Sequence, residues 1–147
     1  MAKEQERKFK LKYLPVCETK YNIEQGYLFI EDKNYLRVRI IDNKHCYLAY
    51  KTIVSKNVKN EYEYEIPLKD ALELMESTNI KLNKTRYVTK DDYGNQVDID
   101  IFENGLETME IEYENELLEL PYYCGEEITG NKEYSNIYIA LQNIKES

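Results

Sequence analysis

The residues best suited to chemistry in this chain are charged side chains at alternate positions. Glu4-x-Glu6-x-Lys8 opens the series. It continues through Arg37-x-Arg39, Lys51, Glu61-x-Glu63-x-Glu65, Lys84-x-Arg86, Asp98-x-Asp100 and Glu110-x-Glu112-x-Glu114. On an extended strand, residues i and i+2 share a face about 7 Å apart. Each Glu-x-Glu pair therefore offers two hard oxygen donors near enough to share a divalent cation, which can neutralise and orient a phosphate chain. Of the 20 Lys and Arg residues only four are arginine (Arg7, Arg37, Arg39 and Arg86), and the last three belong to the alternating set. A guanidinium grips phosphate oxygens through paired hydrogen bonds, so this selective placement points to anion binding rather than solubility. No nucleophilic constellation competes with it. His45 is the single histidine, at a turn, and Cys17, Cys46 and Cys124 form no CxxC pair. Phosphoryl transfer asks for positioning and charge neutralisation more than for a covalent nucleophile.

The elements that must position these residues read mostly with a period of two. Segments 4–11, 21–30, 35–41, 46–51, 61–66, 86–89, 96–102 and 108–113 are expected as strands, separated by turn clusters such as Glu31-Asp32-Lys33-Asn34 and Asp42-Asn43-Lys44. Hairpin-length links between the second, third and fourth predict a largely antiparallel sheet. Residues 67–76, with Pro67 at the start and Leu68, Leu72 and Met75 at helical spacing, predict a helix lying across one end of the sheet. The tail 135–144 predicts a second, with Ser135 or Asn136 as its N-cap. Two architectures follow. In one, the apolar faces form the core and the charges point to water; in the other, the sheet closes around a charged lumen and packs its apolar residues outward. The arginines favour the second.

At 147 residues and 17.6 kDa the chain fits one domain, 1–147. A net charge of −8 argues against a protein that coats DNA or RNA. No apolar run approaches the roughly 18 residues of a membrane span, and the first residues lack the apolar stretch of a secretion signal. Three dispersed cysteines suit a reducing cytoplasm.

The order of the motifs resembles the CYTH family, the triphosphate tunnel metalloenzymes. The resemblance runs from Glu4-Gln5-Glu6-Arg7-Lys8-Phe9 through Gln25-Gly26-Tyr27-Leu28, Leu36-Arg37-Val38-Arg39 and Lys51. It continues through Glu63-Tyr64-Glu65-Ile66, Lys84-Thr85-Arg86-Tyr87, Asp98-Ile99-Asp100-Ile101-Phe102 and Glu110-Ile111-Glu112-Tyr113, and ends on Gly125-Glu126-Glu127 and Tyr134-Ser135-Asn136. It implies a mainly β (α+β) fold: a closed antiparallel barrel of about eight strands forming a charged tunnel, with a few peripheral helices. It also implies Mg²⁺- or Mn²⁺-dependent hydrolysis of a triphosphate phosphoanhydride, and is compatible with a homodimer. By position, Glu4, Glu6, Glu110 and Glu112 resemble the metal-facing carboxylates, and Lys8, Arg37, Arg39, Lys51, Lys84 and Arg86 the phosphate cradle. Glu63, Glu65, Asp98 and Asp100 would hold the basic residues, bind a second metal or position the attacking water. The chain departs from the pattern at Glu133, where a basic residue usually precedes Tyr-Ser-Asn, and at Asp98, where a longer Glu is common. Lacking an insertion to hold a base, it fits inorganic tripolyphosphate best. Thiamine triphosphate, nucleotides and ATP cyclisation are alternatives within the family. A polyphosphate-binding barrel without turnover is the alternative of another class, and the complete carboxylate set speaks for the enzyme.

Overall fold

Alternation of charged with β-branched and aromatic residues gives strands with one polar and one apolar face. In the computed structural model, which describes residues 2–146, the order is β1 (Ala2–Leu11), β2 (Thr19–Ile30), β3 (Asn34–Ile41), β4 (His45–Ser55), β5 (Val58–Glu65), α1 (Leu68–Glu76), β6 (Lys81–Lys90), β7 (Gln96–Phe102), β8 (Glu107–Glu112), β9 (Cys124–Glu127) and α2 (Asn136–Glu146). A single 3₁₀ turn, Lys132–Tyr134, precedes α2. No helix among the described residues is long and apolar enough to cross a membrane.

The strands run round the ring β1-β5-β4-β3-β2-β6-β7-β8 and back to β1, every pair antiparallel, so eight strands close a barrel. Closure depends on β1. Its first residues pair with β5, with Glu4 opposite Lys59, and its later residues pair with β8, with Glu6 opposite Glu112 and Lys8 opposite Glu110. The short β9, unforeseen in the sequence, takes up the free edge of β1 near Phe9 and Leu11. The expected Asp42-Asn43-Lys44 turn is the three-residue loop between β3 and β4, with positive φ at Asp42 and Asn43, 53° and 56°, and Lys44 N–H donating to Ile41 O at 3.0 Å.

The apolar core lies on the outer face of the barrel. Phe9, Val97, Ile99, Met109, Ile111 and Cys124 form one buried cluster. Val38, Ile40 and Cys46 form another beneath Ala71 and Met75 of α1. Helix α1 thus covers the outer face of β2–β4 instead of lying across an end of the sheet. Its approach is close: a Cβ on Gly26 would stand 2.7 Å from Met75 Sδ. The end of the barrel is closed by the other helix. Ile139 and Ala140 of α2 pack with Tyr27, Tyr35, Leu82 and Phe102, residues that share strand parity with the lumen charges. Ser135 is the N-cap of α2, its Oγ accepting from Tyr138 N–H at 3.1 Å. The three cysteines are free thiols.

Candidate active site

Strand parity turns one set of alternate side chains from all eight strands inward, and the signs sort by wall except for Lys8, which lies on β1 opposite Glu110 and donates to Tyr134 O at 2.6 Å. Arg37 and Arg39 on β3, Lys51 on β4, and Lys84 and Arg86 on β6 form a basic wall. Glu4 and Glu6 on β1, Glu110 and Glu112 on β8, and Asp98 and Asp100 on β7 form an acidic one. Strand β3 stands half-way round the ring from β8. The charges can be this deep because most are paired. Lys84 Nζ donates to Asp100 Oδ2 at 2.8 Å, and Arg86 donates to both Asp100 oxygens at 2.8 and 2.9 Å. Asp98 lies 3.6 Å from Arg86. Lys51 Nζ bridges Glu4 and Glu61 at 3.1 and 3.2 Å. Arg37 lies 3.4 Å from Glu63 and 3.8 Å from Glu61. Burial would raise the Asp100 carboxyl, but Arg86 and Lys84 overcome that and hold it well below the usual carboxylate range. Burial lowers Lys84 well below the ordinary lysine value, against the opposing field of Asp100.

The acidic wall carries more negative charge than its partners offset. Burial and the hydrogen bond and field of Glu110 push Glu6 well above its ordinary value. Glu110 itself, although burial opposes it, is held well below by the hydrogen bond from Glu6 and by Lys8, Arg86 and Lys59. The two therefore titrate as a pair that favours holding one proton between them, Glu6 being the member that is raised. Glu4 and Glu61 repeat the arrangement, with Glu4 raised by burial and by its hydrogen bond to Glu61. Glu112 is pushed up to about 7 by burial and by Asp98, Glu4 and Glu110.

These raised values imply a pH dependence. The ordinary value for Glu112 is 4.5. Stability linked to its proton is fully present below that value and is lost as the pH rises through about 7, with Glu6, Glu4 and Asp98 shifted in the same direction. The metal-free protein is expected to melt lower at pH 8 than at pH 5.5, by on the order of 5 °C. Melting curves in EDTA that are level or rise across that interval would contradict the acid-pair arrangement.

Four carboxylates and a shared proton in one wall are a donor set suited to a hard divalent cation. No three Asp, Glu, His or Cys side chains among the described residues converge on one point at ligand distance. The reason is visible in the pairing: Glu6 is engaged with Glu110 and lies 3.7 Å from Lys59, and Glu4 with Glu61 and Lys51. The protons and lysines balance the charge that a cation would balance, and the chemistry of the donors fits the ion.

The lumen brings together Glu4, Glu6, Lys8, Arg37, Arg39, Lys51, Lys84, Arg86, Asp98, Asp100, Glu110 and Glu112, all expected from the sequence. Glu63 reaches in from the rim to Arg37. Glu65 does not join them. It is exposed at the end of β5 opposite Tyr47 and has no ion pair among the described residues. Glu61, part of the alternating series but assigned no role, lies at Arg37 and Lys51, and Lys59 was missed. Lys59 is half-buried and, although burial opposes its charge, Tyr35, Glu6, Glu110 and Glu4 hold it above the ordinary lysine value. Lys59 continues the parity of Glu61 and Glu63, a signal hidden when β5 is begun at Glu61 instead of Val58.

Residues 2–143 match the CYTH domain family. Over 118 residues the chain is 36% identical to an inorganic triphosphatase of Acetivibrio thermocellus, covering 76% of this chain and 75% of that protein. A solved inorganic triphosphatase superposes with a TM-score of 0.69 at 30% identity, covering 96% of each chain. A Pyrococcus horikoshii protein, at 22% identity, shares the fold with a TM-score of 0.63 over 78% of this chain and 80% of its own. With a match across nearly its whole length and the closed barrel to go with it, the chain belongs to the CYTH domain family.

Proposed function

We propose that this protein hydrolyses a phosphoanhydride of a small triphosphate, inorganic tripolyphosphate first, with a divalent cation, Mg²⁺ or Mn²⁺. The observation that carries this reading is the sorted lumen, a basic wall facing an acidic one within a closed barrel. The 36%-identical relative and the 30%-identical solved protein, both named inorganic triphosphatases, support it. Lys8, Arg37, Arg39, Lys51, Lys84 and Arg86 hold the phosphate oxygens. Glu4, Glu6, Glu110 and Glu112 hold the cation, which would neutralise developing charge and polarise a phosphoryl oxygen. Asp98, Asp100 and Glu63 fix the basic side chains, and the exposed Glu65 takes no part. Positioning and electrostatics do the work, with no covalent intermediate required. The free thiols fit a reducing compartment such as the cytoplasm.

The closed end favours an inorganic substrate. A nucleotide base needs an apolar slot beside its phosphates, and the apolar ring of Tyr27, Tyr35, Leu82 and Phe102 is already filled by Ile139 and Ala140. The opposite mouth is an open cleft of about 860 Å³ lined by Glu4, Glu112, Glu114, Tyr93 and Tyr113 among others, an acidic surface that repels further phosphate.

Phosphate release from tripolyphosphate, ATP and thiamine triphosphate, each with Mg²⁺, with Mn²⁺ and with EDTA, tests the reading. Release from tripolyphosphate is expected to exceed that from the other two and to vanish in EDTA. Absence of metal-dependent release from all three would sink the enzyme reading and leave a polyphosphate-binding barrel.

A further inference from the structure

Arg39 differs from the other arginines of the lumen. Arg37 has Glu61 and Glu63, and Arg86 has Asp98 and Asp100, whereas Arg39 has no carboxylate at ion-pair distance among the described residues. Its fork is held by a neutral amide: Gln25 Oε1 accepts from Arg39 Nε at 3.1 Å and from Nη2 at 2.9 Å. The two residues face each other across β2 and β3. Gln25, 1% exposed, is itself fixed, its Nε2 donating to Tyr27 Oη at 2.7 Å and to Asn136 Oδ1 at 3.3 Å. Asn136 Oδ1 also accepts from Lys84 Nζ at 2.8 Å. The chain thus spends a buried amide on orienting this guanidinium where a carboxylate of the same shape would have paired with it.

Burying an uncompensated charge is costly unless something else offsets it. Burial, together with the fields of Arg37 and Arg86, brings Arg39 down to about 10, still charged at neutral pH. A carboxylate at position 25 would relieve that cost and would also consume the charge. An amide satisfies the two N–H groups and leaves the full charge to an incoming anion.

We infer that Gln25 is a positioning residue for triphosphate affinity: its neutral amide orients Arg39 through two hydrogen bonds while leaving that guanidinium unneutralised for the substrate's phosphate. The inference rests on the triphosphate reading above. Gln25→Glu separates charge from shape, because one carboxylate oxygen can still accept both Arg39 hydrogen bonds and the Tyr27 hydroxyl can turn to donate to the other, while Asn136 keeps its orientation by accepting from Lys84.

Isothermal titration of tripolyphosphate in EDTA, so that binding is read without turnover, tests the inference alongside thermal melts. Gln25→Glu is expected to weaken binding by roughly ten- to a hundredfold, the worth of hydrogen bonds to a charged group, with Tm unchanged or raised. In the metal-loaded enzyme KM should rise while kcat at saturation changes far less. Gln25→Met, which releases the fork, is expected to lower both affinity and Tm. Gln25→Glu binding within twofold of wild type would show that orientation alone matters and would overturn the inference. Wild-type protein that binds no tripolyphosphate would instead overturn the triphosphate reading, and the inference with it.

Discussion

Glu6→Gln is expected to reduce metal-dependent phosphate release by on the order of a thousandfold and to leave the metal-free protein at least as stable as wild type. The two effects share one cause. Glu6 is pushed well above its ordinary value by burial and by Glu110, with Lys59 at 3.7 Å as partial relief. The pair Glu6 and Glu110 favours holding one proton between them. A glutamine supplies an N–H in place of that proton, so the hydrogen bond to Glu110 survives and the cost of ionising Glu6 at higher pH disappears. What is lost is one of four oxygen anions available to a divalent cation. Titration of Mn²⁺ should show weakened binding in the variant, while tripolyphosphate binding in EDTA is largely retained because the basic wall is untouched. Wild-type rates in Glu6→Gln would remove β1 from the metal site.

Much of this lumen was legible because a closed barrel converts strand parity into location. Glu4, Glu6, Arg37, Arg39, Asp98, Asp100, Glu110 and Glu112 needed only the rule that alternate residues share a face, plus the insight that so many charged faces meet inside. The gaps have identifiable causes. Lys59 lies just after the Lys56-Asn57 turn, so where the hairpin turns decides whether it counts as loop or lumen. Gln25 carries no charge, and a search for alternating charge passes over it although it is among the most buried polar side chains. Helix α1 forms where Pro67 and the apolar spacing predict it, but Leu68 and Leu72 are exposed while Ala71 and Met75 are buried, so the spacing gives neither the full buried face nor what covers it. β9 has four residues and pairs with β1 more than 110 positions earlier in the chain, a contact with no local signature.

Asp100→Asn is expected to destabilise the fold by about 3–5 kcal/mol, the usual cost of removing one partner from a buried ionic cluster, and so to lower Tm by on the order of 10 °C. Asp100 is 1% exposed and receives Lys84 Nζ and both the Nε and Nη2 of Arg86 within 2.9 Å. With an amide there, one oxygen can still accept from Lys84 or Arg86, but the NH2 that replaces the other oxygen faces the second cation, and the nearest carboxylates left to Arg86 are Asp98 at 3.6 Å and Glu110 at 4.0 Å. Lys84, already held below its ordinary value by burial, loses in the variant the carboxylate that favours its charged form, and its hold on phosphate is expected to weaken. Because the folded value of Asp100 is depressed, its contribution is present above the ordinary value of 3.8 and is lost as the pH falls further. The gap in unfolding free energy between wild type and variant should therefore be full at pH 7 and shrink below about pH 3.8. Equal stabilities at pH 7 would show that Asp100 does not carry the basic wall. Glu6→Gln and Asp100→Asn both change a buried carboxylate into an amide within the same barrel, yet the first should hold or raise stability and the second should lower it. The sign is set by what surrounds each group: another carboxylate sharing its proton in one case, and two cations without sufficient other partners in the second.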